Sequence, residues 1–264
     1  MINQGPLEFL KRKDGHIAYQ CWYTQDQKRS PILFLHDSLG CIELWRNFPE
    51  QISNITQRKC LAYDRYGYGK SSGFLCTRKA DYLEQEAHLL IEFMDEWNIA
   101  KAILFGHSDG GSIALIAAAK YPERIDAIIV EGAHVFVEDI TLQGIAEAGN
   151  SYEQGHLHQR LVKYHGDKTR DLVYAWINIW NSDSFKNWNL LDFLPQIQCP
   201  SLVIQGEHDE FGSLRQVDAI CEGIGAMSQS VIISQAKHSP HKENKSATLE
   251  AISGFHARTI SALK

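Results

Sequence analysis

The sequence predicts an α/β fold with a mostly parallel central sheet, helices on both faces and a helical insertion. Short apolar runs alternate along the chain with longer amphipathic segments, which is the rhythm of β-strand–helix–β-strand units. That rhythm stops once, for about 60 residues, in the second half of the chain. A serine flanked by glycines, in residues 105–111 (FGHSDGG), stands where one apolar run meets a helix-like segment.

Composition is typical of a globular protein with one sizeable core. The 264 residues are 44% hydrophobic, and the net charge of −6 without a long basic run disfavours nucleic acid and anionic membranes as partners. Residues 1–16 lack the apolar stretch of a signal peptide, and no window approaches about 18 consecutive apolar residues, so we expect no membrane span. The six cysteines lack CxxC spacing, which favours free thiols and a cytoplasmic protein. The sequence leaves the oligomeric state open.

Seven apolar runs are expected to form strands. The first alternates loosely between apolar and polar residues, whereas the others are compact, as is typical of strands buried on both faces of a parallel sheet. They are residues 16–24 (HIAYQCWYT), 31–36 (PILFLH), 60–64 (CLAYD), 102–107 (AILFGH), 127–133 (AIIVEGA), 201–209 (SLVIQGEHD) and 230–234 (SVIIS).

Five segments between these runs have the amphipathic pattern of helices. They are residues 43–54, 80–98, 110–122, 213–225 and the tail from Lys245. The strand-free stretch contains three more, at residues 140–148, 155–165 and 169–181. A structureless loop of that length is unusual in a compact domain. We therefore expect a helical cap at residues 136–195, inserted into a core domain of residues 1–135 and 196–264.

Ser108 has the setting of a catalytic nucleophile. It follows a predicted strand and precedes a predicted helix, so a sharp turn would lift its side chain out of the sheet. Such a turn crowds its neighbours, which favours Gly106 and Gly110 two positions away on either side. The helix N-terminus also points at the serine, where negative charge is stabilised. A plain tight turn is the alternative interpretation of the same pattern.

A serine nucleophile needs a base, and the base needs an orienting acid. Both are expected in loops at the carboxyl ends of later strands. The strand at residues 201–209 ends beside Glu207, Asp209 and Glu210, and the last strand is followed by His238 and His241. The order of nucleophile, acid and base along the chain is one that this architecture uses.

Several motifs jointly resemble the α/β-hydrolase family with a cap. FGHSDGG is similar to its nucleophile elbow, QGEHDEF to its acid loop, and YDRYGYGKSS to its D-x-x-G-x-G-x-S loop. AKHSPHKE resembles the G-H-x-P-H-x-E histidine loop, with Lys237 in place of glycine. LHDSLG resembles the H-G-x-x-G oxyanion loop, with Asp37 in place of the second-position glycine, which alters the charge of that loop. The motifs extend from about residue 31 to 245, most of the chain.

The resemblance implies a role for each matching residue. Ser108 would be the nucleophile, Asp209 the acid and His238 the base, and the backbone N–H groups of Asp109 and Ser38 would be the oxyanion donors. No cofactor and no metal is implied. Because catalysis needs neutral His238, kcat/KM is expected to fall on the acid side near the ordinary histidine pKa of about 6.5.

Other residues near these motifs have alternative interpretations. We expect His241 and His107 to be structural, with His241 as a second candidate for the base. Glu131 ends a predicted strand and is an alternative acid. Three clustered histidines lack the spacing of metal ligands: His156, His158 and His165.

Asp109 has two interpretations. An acid in the first turn of a helix is favoured by the helix dipole, which alone explains its position. Alternatively, its side chain binds a positive group beside the reacting carbonyl. The S-D-G-G elbow and the later EGAHVFVED segment resemble hydrolases of α-amino-acid esters, of the valacyclovir-hydrolase type. That resemblance implies substrate binding by Asp109.

The predicted function is therefore hydrolysis of a small carboxylic ester, or of a lactone or activated amide. Epoxide hydrolase and dehalogenase chemistry is disfavoured because the elbow residue is Ser108 rather than a carboxylate. C–C bond hydrolysis is the alternative within enzymes, although His107 replaces the asparagine that such relatives carry before the serine. A ligand-binding receptor or pseudoenzyme on the same scaffold is the alternative outside enzymes.

Overall fold

The computed structural model describes residues 3–13, 15–24, 29–73 and 77–262. These residues form eight β-strands in one sheet. The strands are β1 (Asn3–Arg12), β2 (Gly15–Tyr23), β3 (Ile32–Leu35), β4 (Cys60–Tyr63), β5 (Ala102–His107), β6 (Ile125–Glu131), β7 (Ser201–Gly206) and β8 (Ser228–Ile233).

The sheet is mostly parallel, which confirms the predicted fold class. Its spatial order is β1-β2-β4-β3-β5-β6-β7-β8. Strand β2 pairs antiparallel with β1 and β4, and all other neighbouring strands are parallel. Because β3 lies between β4 and β5, chain order reverses there, and the loops that follow β3 and β5 meet at the carboxyl edge. Ligands of open α/β sheets bind at such a reversal point.

Helices cover both faces of the sheet, as predicted. They are α1 (Phe48–Thr56), α2 (Tyr82–Glu96), α3 (Asp109–Lys120), α4 (Asp139–Glu153), α5 (His156–His165), α6 (Thr169–Trp180), α7 (Leu214–Ile224), α8 (Pro240–Glu243) and α9 (Lys245–Arg258). Helices α2, α3 and α7 pack on one face, and α1 and α9 on the other. Successive strand residues face opposite cores: Leu104 joins the first and Phe105 the second.

Two local structures differ from the prediction. Strand β1 was not predicted, and it pairs as an antiparallel edge strand with a register shift between Gln4 and Leu7, which accommodates Pro6. The helix predicted at residues 43–54 is interrupted. A 3-10 helix, Ile42–Trp45, ends at Arg46 with φ 53°, and α1 begins at residue 48.

Between β6 and β7 the chain forms α4, α5 and α6, in the region where helices were expected. The assignment of residues 136–195 as a separate cap domain stays a prediction. Buried His165 attaches this segment to the sheet edge, because its Nδ1 accepts the Gly69 N–H and its Nε2–H donates to the Leu39 carbonyl, each at 3.0 Å. Lys168 Nζ donates to three carbonyls of one loop: Tyr68 (3.2 Å), Gly69 (2.9 Å) and Ser71 (2.6 Å).

Two predictions from composition concern cysteines and membrane spans. Free thiols are present at Cys21, Cys41, Cys60, Cys199 and Cys221, whereas Cys76 lies outside the described residues. Burial raises the pKa of the Cys41 and Cys199 thiols to about 12, so neither is a reactive thiolate at neutral pH. Within the described ranges, no helix combines the length and apolar content needed to cross a bilayer.

Candidate active site

Ser108 forms the turn between β5 and α3. Its φ of 55° and ψ of −120° belong to a region that L-residues rarely adopt, and such strain is typical of functional sites. The flanking glycines are explained by space. A Cβ on Gly106 would lie 2.2 Å from the Gly110 carbonyl oxygen, and a Cβ on Gly110 would lie 2.0 Å from the Leu35 carbonyl oxygen. The turn can therefore form only with glycine at both positions.

A cavity of about 650 Å³ opens beside this turn. Ser108, His238, Asp109 and Ser38 all line it, so four of the five residues predicted for the site share one cavity. Its apolar wall comes from the sheet edge and from all three helices of the insertion. That wall includes Leu39, Ile145, Leu157, Leu161, Trp176, Trp180 and Phe211. Mostly apolar walls with a few polar groups are typical of small-molecule sites.

The fifth predicted residue, Asp209, contacts His238 directly. His238 Nδ1 lies 2.9 Å from each Asp209 carboxylate oxygen, and the Asp209 side chain is 1% exposed. Backbone N–H groups of Phe211 (2.8 Å) and Gly212 (3.2 Å) also donate to this carboxylate. Because Asp209 accepts hydrogen bonds from several sides, its orientation toward His238 is fixed.

The contact with Asp209 favours the charged form of His238. Burial alone would lower the pKa of His238, but Asp209, Asp37 and Glu210 together raise it above its ordinary value. Burial alone would likewise raise the pKa of Asp209, but His238 and the backbone donors lower it. The pair therefore stabilises an imidazolium, which is the form that a histidine base takes after it accepts a proton.

The loop after β3 places Ser38 at the cavity. Asp37, which replaces a glycine of the family motif, fits because Gly40 makes room: a Cβ on Gly40 would lie 1.8 Å from Asp37 Oδ1. The Asp37 carbonyl accepts hydrogen bonds at 2.8 Å from His36 Nδ1–H and from Arg65 Nη2–H. The loop is thus held from its buried side, while Ser38 lines the cavity.

Asp37 is a charged group of this site. Burial would raise the pKa of its carboxyl, but Lys242 and the neighbouring histidines His107, His36 and His238 lower it to about 2. The Asp37 carboxylate therefore stays ionised over the whole neutral range and adds to the negative field at His238.

The alternative base and acid pair with each other. His241 is buried, its backbone N–H and Nδ1–H both donate to Glu131 (2.6 and 2.7 Å), and burial lowers its pKa well below the usual value. His107 Nε2–H donates to the His238 carbonyl at 2.8 Å, and burial lowers the pKa of His107 to about 3. His107 thus holds the backbone of the His238 loop, and Glu131 contacts His241 rather than His238.

Comparison with known proteins agrees with this geometry. The sequence model described as "alpha/beta hydrolase fold" matches residues 30–149. Serine hydrolase BPHL of Homo sapiens is 29% identical over 217 residues, which cover 80% of this chain and 73% of the human protein. The chain has the α/β-hydrolase fold and resembles members of that superfamily over most of its length. Hydrolase activity is the general class of reaction that this resemblance supports.

Solved structures show that the α/β-hydrolase fold extends over nearly the whole chain. The crystal structure of MGS-M2, an α/β-hydrolase enzyme from a Medee basin deep-sea metagenome library, has a TM-score of 0.77 at 22% identity and covers 96% of this chain and 98% of that one. A serine hydrolase from the polyaromatic hydrocarbon-degrading bacterium Cycloclasticus zankles has a TM-score of 0.80 at 17% identity, covering 97% and 98%. At such identities the likeness concerns the fold alone.

The Asp109 carboxylate faces two arginines. It is 1% exposed, and its Oδ2 lies 3.8 Å from Arg65 Nη2 and 3.6 Å from Arg78 Nη1. Its Oδ1 accepts a hydrogen bond from the Tyr82 hydroxyl at 3.1 Å. Within the described chain, Oδ2 accepts no hydrogen bond. Asp109 is therefore a buried counterion of two buried guanidinium groups.

Two residues of the site were missed at the sequence level. Gln205, in β7, donates through Nε2 to Asp209 Oδ2 and to the Gly212 carbonyl, both at 2.8 Å. His134 lines the cavity after β6, and its Nε2–H donates to the Phe211 carbonyl at 3.0 Å. The available signal was a polar side chain within or just after an otherwise apolar strand.

Proposed function

We propose that the chain is a serine hydrolase that cleaves a small carboxylic ester through an acyl-enzyme on Ser108, with His238 as base and Asp209 as orienting acid. One observation carries the proposal. Ser108, on a strained turn, lines the same cavity as His238, whose Nδ1 lies 2.9 Å from both oxygens of the buried Asp209. Nucleophile, base and acid in this arrangement are the machinery of acyl transfer.

The first half of the reaction forms the acyl-enzyme. Ser108 Oγ attacks the ester carbonyl, and His238 Nε2 takes the serine proton. The backbone N–H of Asp109 supports the oxyanion, because the first four N–H groups of a helix have no partner within it, and the Ser38 N–H is the second donor. His238 then returns the proton to the leaving alcohol.

The second half restores the enzyme. A water molecule gives its proton to His238 and attacks the acyl carbon, and collapse of the tetrahedral adduct releases the acid and re-forms the Ser108 hydroxyl. Asp209 keeps the imidazole oriented in both halves. No cofactor takes part in these steps. The helices of residues 136–195 act as a cap, because α6 contributes Trp176 and Trp180 to the wall around the reacting carbonyl.

Covalent labelling tests the proposal. A fluorophosphonate should add to the protein at Ser108, and a panel of p-nitrophenyl esters should be hydrolysed. Ser108→Ala should abolish labelling and lower kcat/KM by at least about a thousandfold without unfolding the protein, because the side chain carries little packing. A protein that binds esters but turns none over, or that is labelled elsewhere, would instead be a receptor on this scaffold.

A preference for α-amino-acid esters is the finer candidate. It is favoured by the Asp109 carboxylate, whose side chain lines the cavity while its Oδ2 is buried beside Arg65 and Arg78. An ammonium on the α-carbon of the acyl group lies two bonds from the reacting carbonyl carbon and carries the positive charge that this carboxylate attracts. The two neighbouring arginines compete for the same charge, so the preference should be modest.

A further inference from the structure

Three cations of the cavity lining have no acidic partner among the residues that the structure describes. They are Arg46, Arg160 and Lys163, here named the cationic rim. All three side chains are exposed, so they lie at the mouth of the cavity rather than at its base. Within the described part of the chain, no carboxylate lies within ion-pair distance of any of them. The fourth lining cation, Lys242, differs because its charge acts on Asp37.

The carboxylates of the same lining all have partners. Glu210 accepts the backbone N–H of His238 at 3.2 Å, and Glu243 accepts that of Lys237 at 2.6 Å. Asp37 and Asp109 have the histidine and arginine neighbours described above. The four lining carboxylates are Asp37, Asp109, Glu210 and Glu243. The donors to Glu210 and Glu243 are neutral backbone groups, whereas the three rim cations have no partner of either kind among the described residues, although the whole chain carries −6.

Two of the three rim residues lie on one helix face. Arg160 and Lys163 are three residues apart in α5 and so share one helix face with Leu157 and Leu161, which also line the cavity. Arg46 has φ 53° and ψ −125°, a conformation that favours glycine. A strained backbone that carries an arginine at a cavity mouth is typical of a ligand contact.

We infer that the cationic rim binds an anionic group, a carboxylate or a phosphate, on the part of the substrate that projects from the cavity mouth. Arginine binds both anions in a two-point geometry, and lysine adds a point charge. The reacting end of this substrate is the ester of the proposed function, on which the turnover experiment rests. Binding of the anion to the rim does not depend on whether the ester is hydrolysed.

Matched esters test the inference at both ends of the substrate. On the acyl side, p-nitrophenyl hydrogen glutarate is compared with p-nitrophenyl methyl glutarate. On the alcohol side, 4-carboxyphenyl butyrate is compared with 4-carbamoylphenyl butyrate. In one of the pairs the anionic ester should have a kcat/KM roughly tenfold higher than its neutral partner, from charge-assisted contacts. The ratio should fall between about 0.05 and 1 M salt, because the contacts are exposed.

Charge-matched variants assign the effect to the rim. In Arg160→Gln/Lys163→Gln the anionic-to-neutral ratio should fall to about one. Arg170→Gln/Lys186→Gln removes the same charge from exposed positions of the same helical segment that do not line this cavity, and it should keep the ratio of the unmodified protein. A ratio near one in both ester pairs of the unmodified protein, or a ratio that survives in the rim variant, overturns the inference.

A binding measurement separates this inference from the proposed function. Calorimetric Kd values of Ser108→Ala for the same ester pairs should show the anionic preference without turnover, and adding Arg160→Gln/Lys163→Gln should remove it. If the unmodified protein hydrolyses no ester, the proposed function is wrong. The ratio of the Kd values for the anionic and neutral esters then still shows whether the rim binds an anion. If Ser108 proves essential and the Kd ratio is one, the rim fails while the proposed function stands.

Discussion

The pKa of His238 determines the pH range in which Ser108 can be activated. Burial lowers this pKa, but Asp209, Asp37 and Glu210 raise it by a larger amount. Since only neutral imidazole accepts the serine proton, activity is lost as the pH falls through this pKa. We expect the acid-side midpoint of kcat/KM above about 6.5, the ordinary value that sequence alone implied.

A pH–rate profile of a p-nitrophenyl ester from pH 5 to 9 measures this midpoint. Glu210→Gln is the informative variant, because it removes one of the charges that raise the pKa. Its midpoint should lie below that of the unmodified protein. An unmodified midpoint at or below about 6.5 would contradict the expected direction.

Substitution of Asp109 should affect both stability and specificity. Asp109→Asn keeps the backbone N–H but leaves Arg65 and Arg78 buried without their counterion. Breaking a buried pair in this way lowers the free energy of unfolding by about 3–5 kcal/mol, which urea denaturation measures.

The substrate specificity of Asp109→Asn is measured under conditions in which the variant is still folded, at a temperature below the midpoint of its thermal unfolding. If Oδ2 holds a substrate ammonium, the ratio of kcat/KM for α-aminoacyl over plain acyl esters should fall, by at most about tenfold because the arginines share the charge. Equal losses for the two ester classes would leave the helix-dipole and counterion roles as the only functions of this carboxylate.

The sequence predicted the local chemistry of the site but not its distant contacts. Ser108, with glycine two positions away on either side, is a turn whose crowding can be inferred from spacing alone. The partners of Asp109 could not be inferred, because Arg65 lies 44 positions earlier in the sequence (109 − 65). Gln205 was missed for a related reason: a lone polar residue in an apolar strand shows no partner until the strand order is known.

At the scale of elements, Lys168 and His165 fasten the helical segment to the loop after β4, in addition to its apolar packing through Trp176, Ile179 and Trp180. Lys168 Nζ donates to three carbonyls between residues 68 and 71. Lys168→Met keeps much of the side-chain length and removes these bonds. Amide exchange of residues 68–71 should become faster by about tenfold, the equivalent of about 1.4 kcal/mol of local opening.

Hydrogen exchange with peptide resolution measures this opening. Lys186→Met is a suitable control, since Lys186 is exposed on the same segment and has no such contacts. Unchanged exchange at residues 68–71 in Lys168→Met would mean that the remaining contacts of the segment, including His165, keep this loop ordered without Lys168. Faster exchange throughout the chain would indicate global destabilisation rather than local detachment.

Element prediction succeeded where burial produced an unambiguous pattern. The fully buried strands β3, β5 and β7 were evident as compact apolar runs. Strand β1 was missed because an edge strand tolerates Pro6 and charged residues, so its pattern resembles a loop. The interruption at Arg46 was missed because a left-handed backbone is expected at glycine or asparagine and has no signature at arginine.

At the scale of the whole molecule, strand order determines which loops meet. Alternation of apolar runs and helices predicted a parallel sheet with two covered faces. It did not determine that β3 lies between β4 and β5, and only this order brings the Ser38 loop against the Ser108 turn. Family resemblance supplied that neighbour relation before the structure did, since the two motifs are otherwise separated by 70 positions (108 − 38).

The reversal point of the sheet depends on a close backbone approach at Gly110. A Cβ there would lie 2.0 Å from the Leu35 carbonyl oxygen and 2.9 Å from that of His36, and both atoms belong to the backbone at the end of β3. Gly110→Ala must therefore push α3 away from β3. We expect it to lower the free energy of unfolding by at least about 1–3 kcal/mol, as overpacking does, and to lower esterase activity because Ser38 and Ser108 separate.

Gly149→Ala is the matched control for this substitution. Gly149 lies within α4, and a Cβ there would meet only the tip of Ile177, at 3.3 Å. Alanine in a helix is more stable than glycine by roughly 0.5–1 kcal/mol, so this variant should be as stable as the unmodified protein or slightly more. Urea denaturation and p-nitrophenyl ester turnover measure both variants. Equal stability and activity of the two would show that contact between α3 and β3 does not hold the site together.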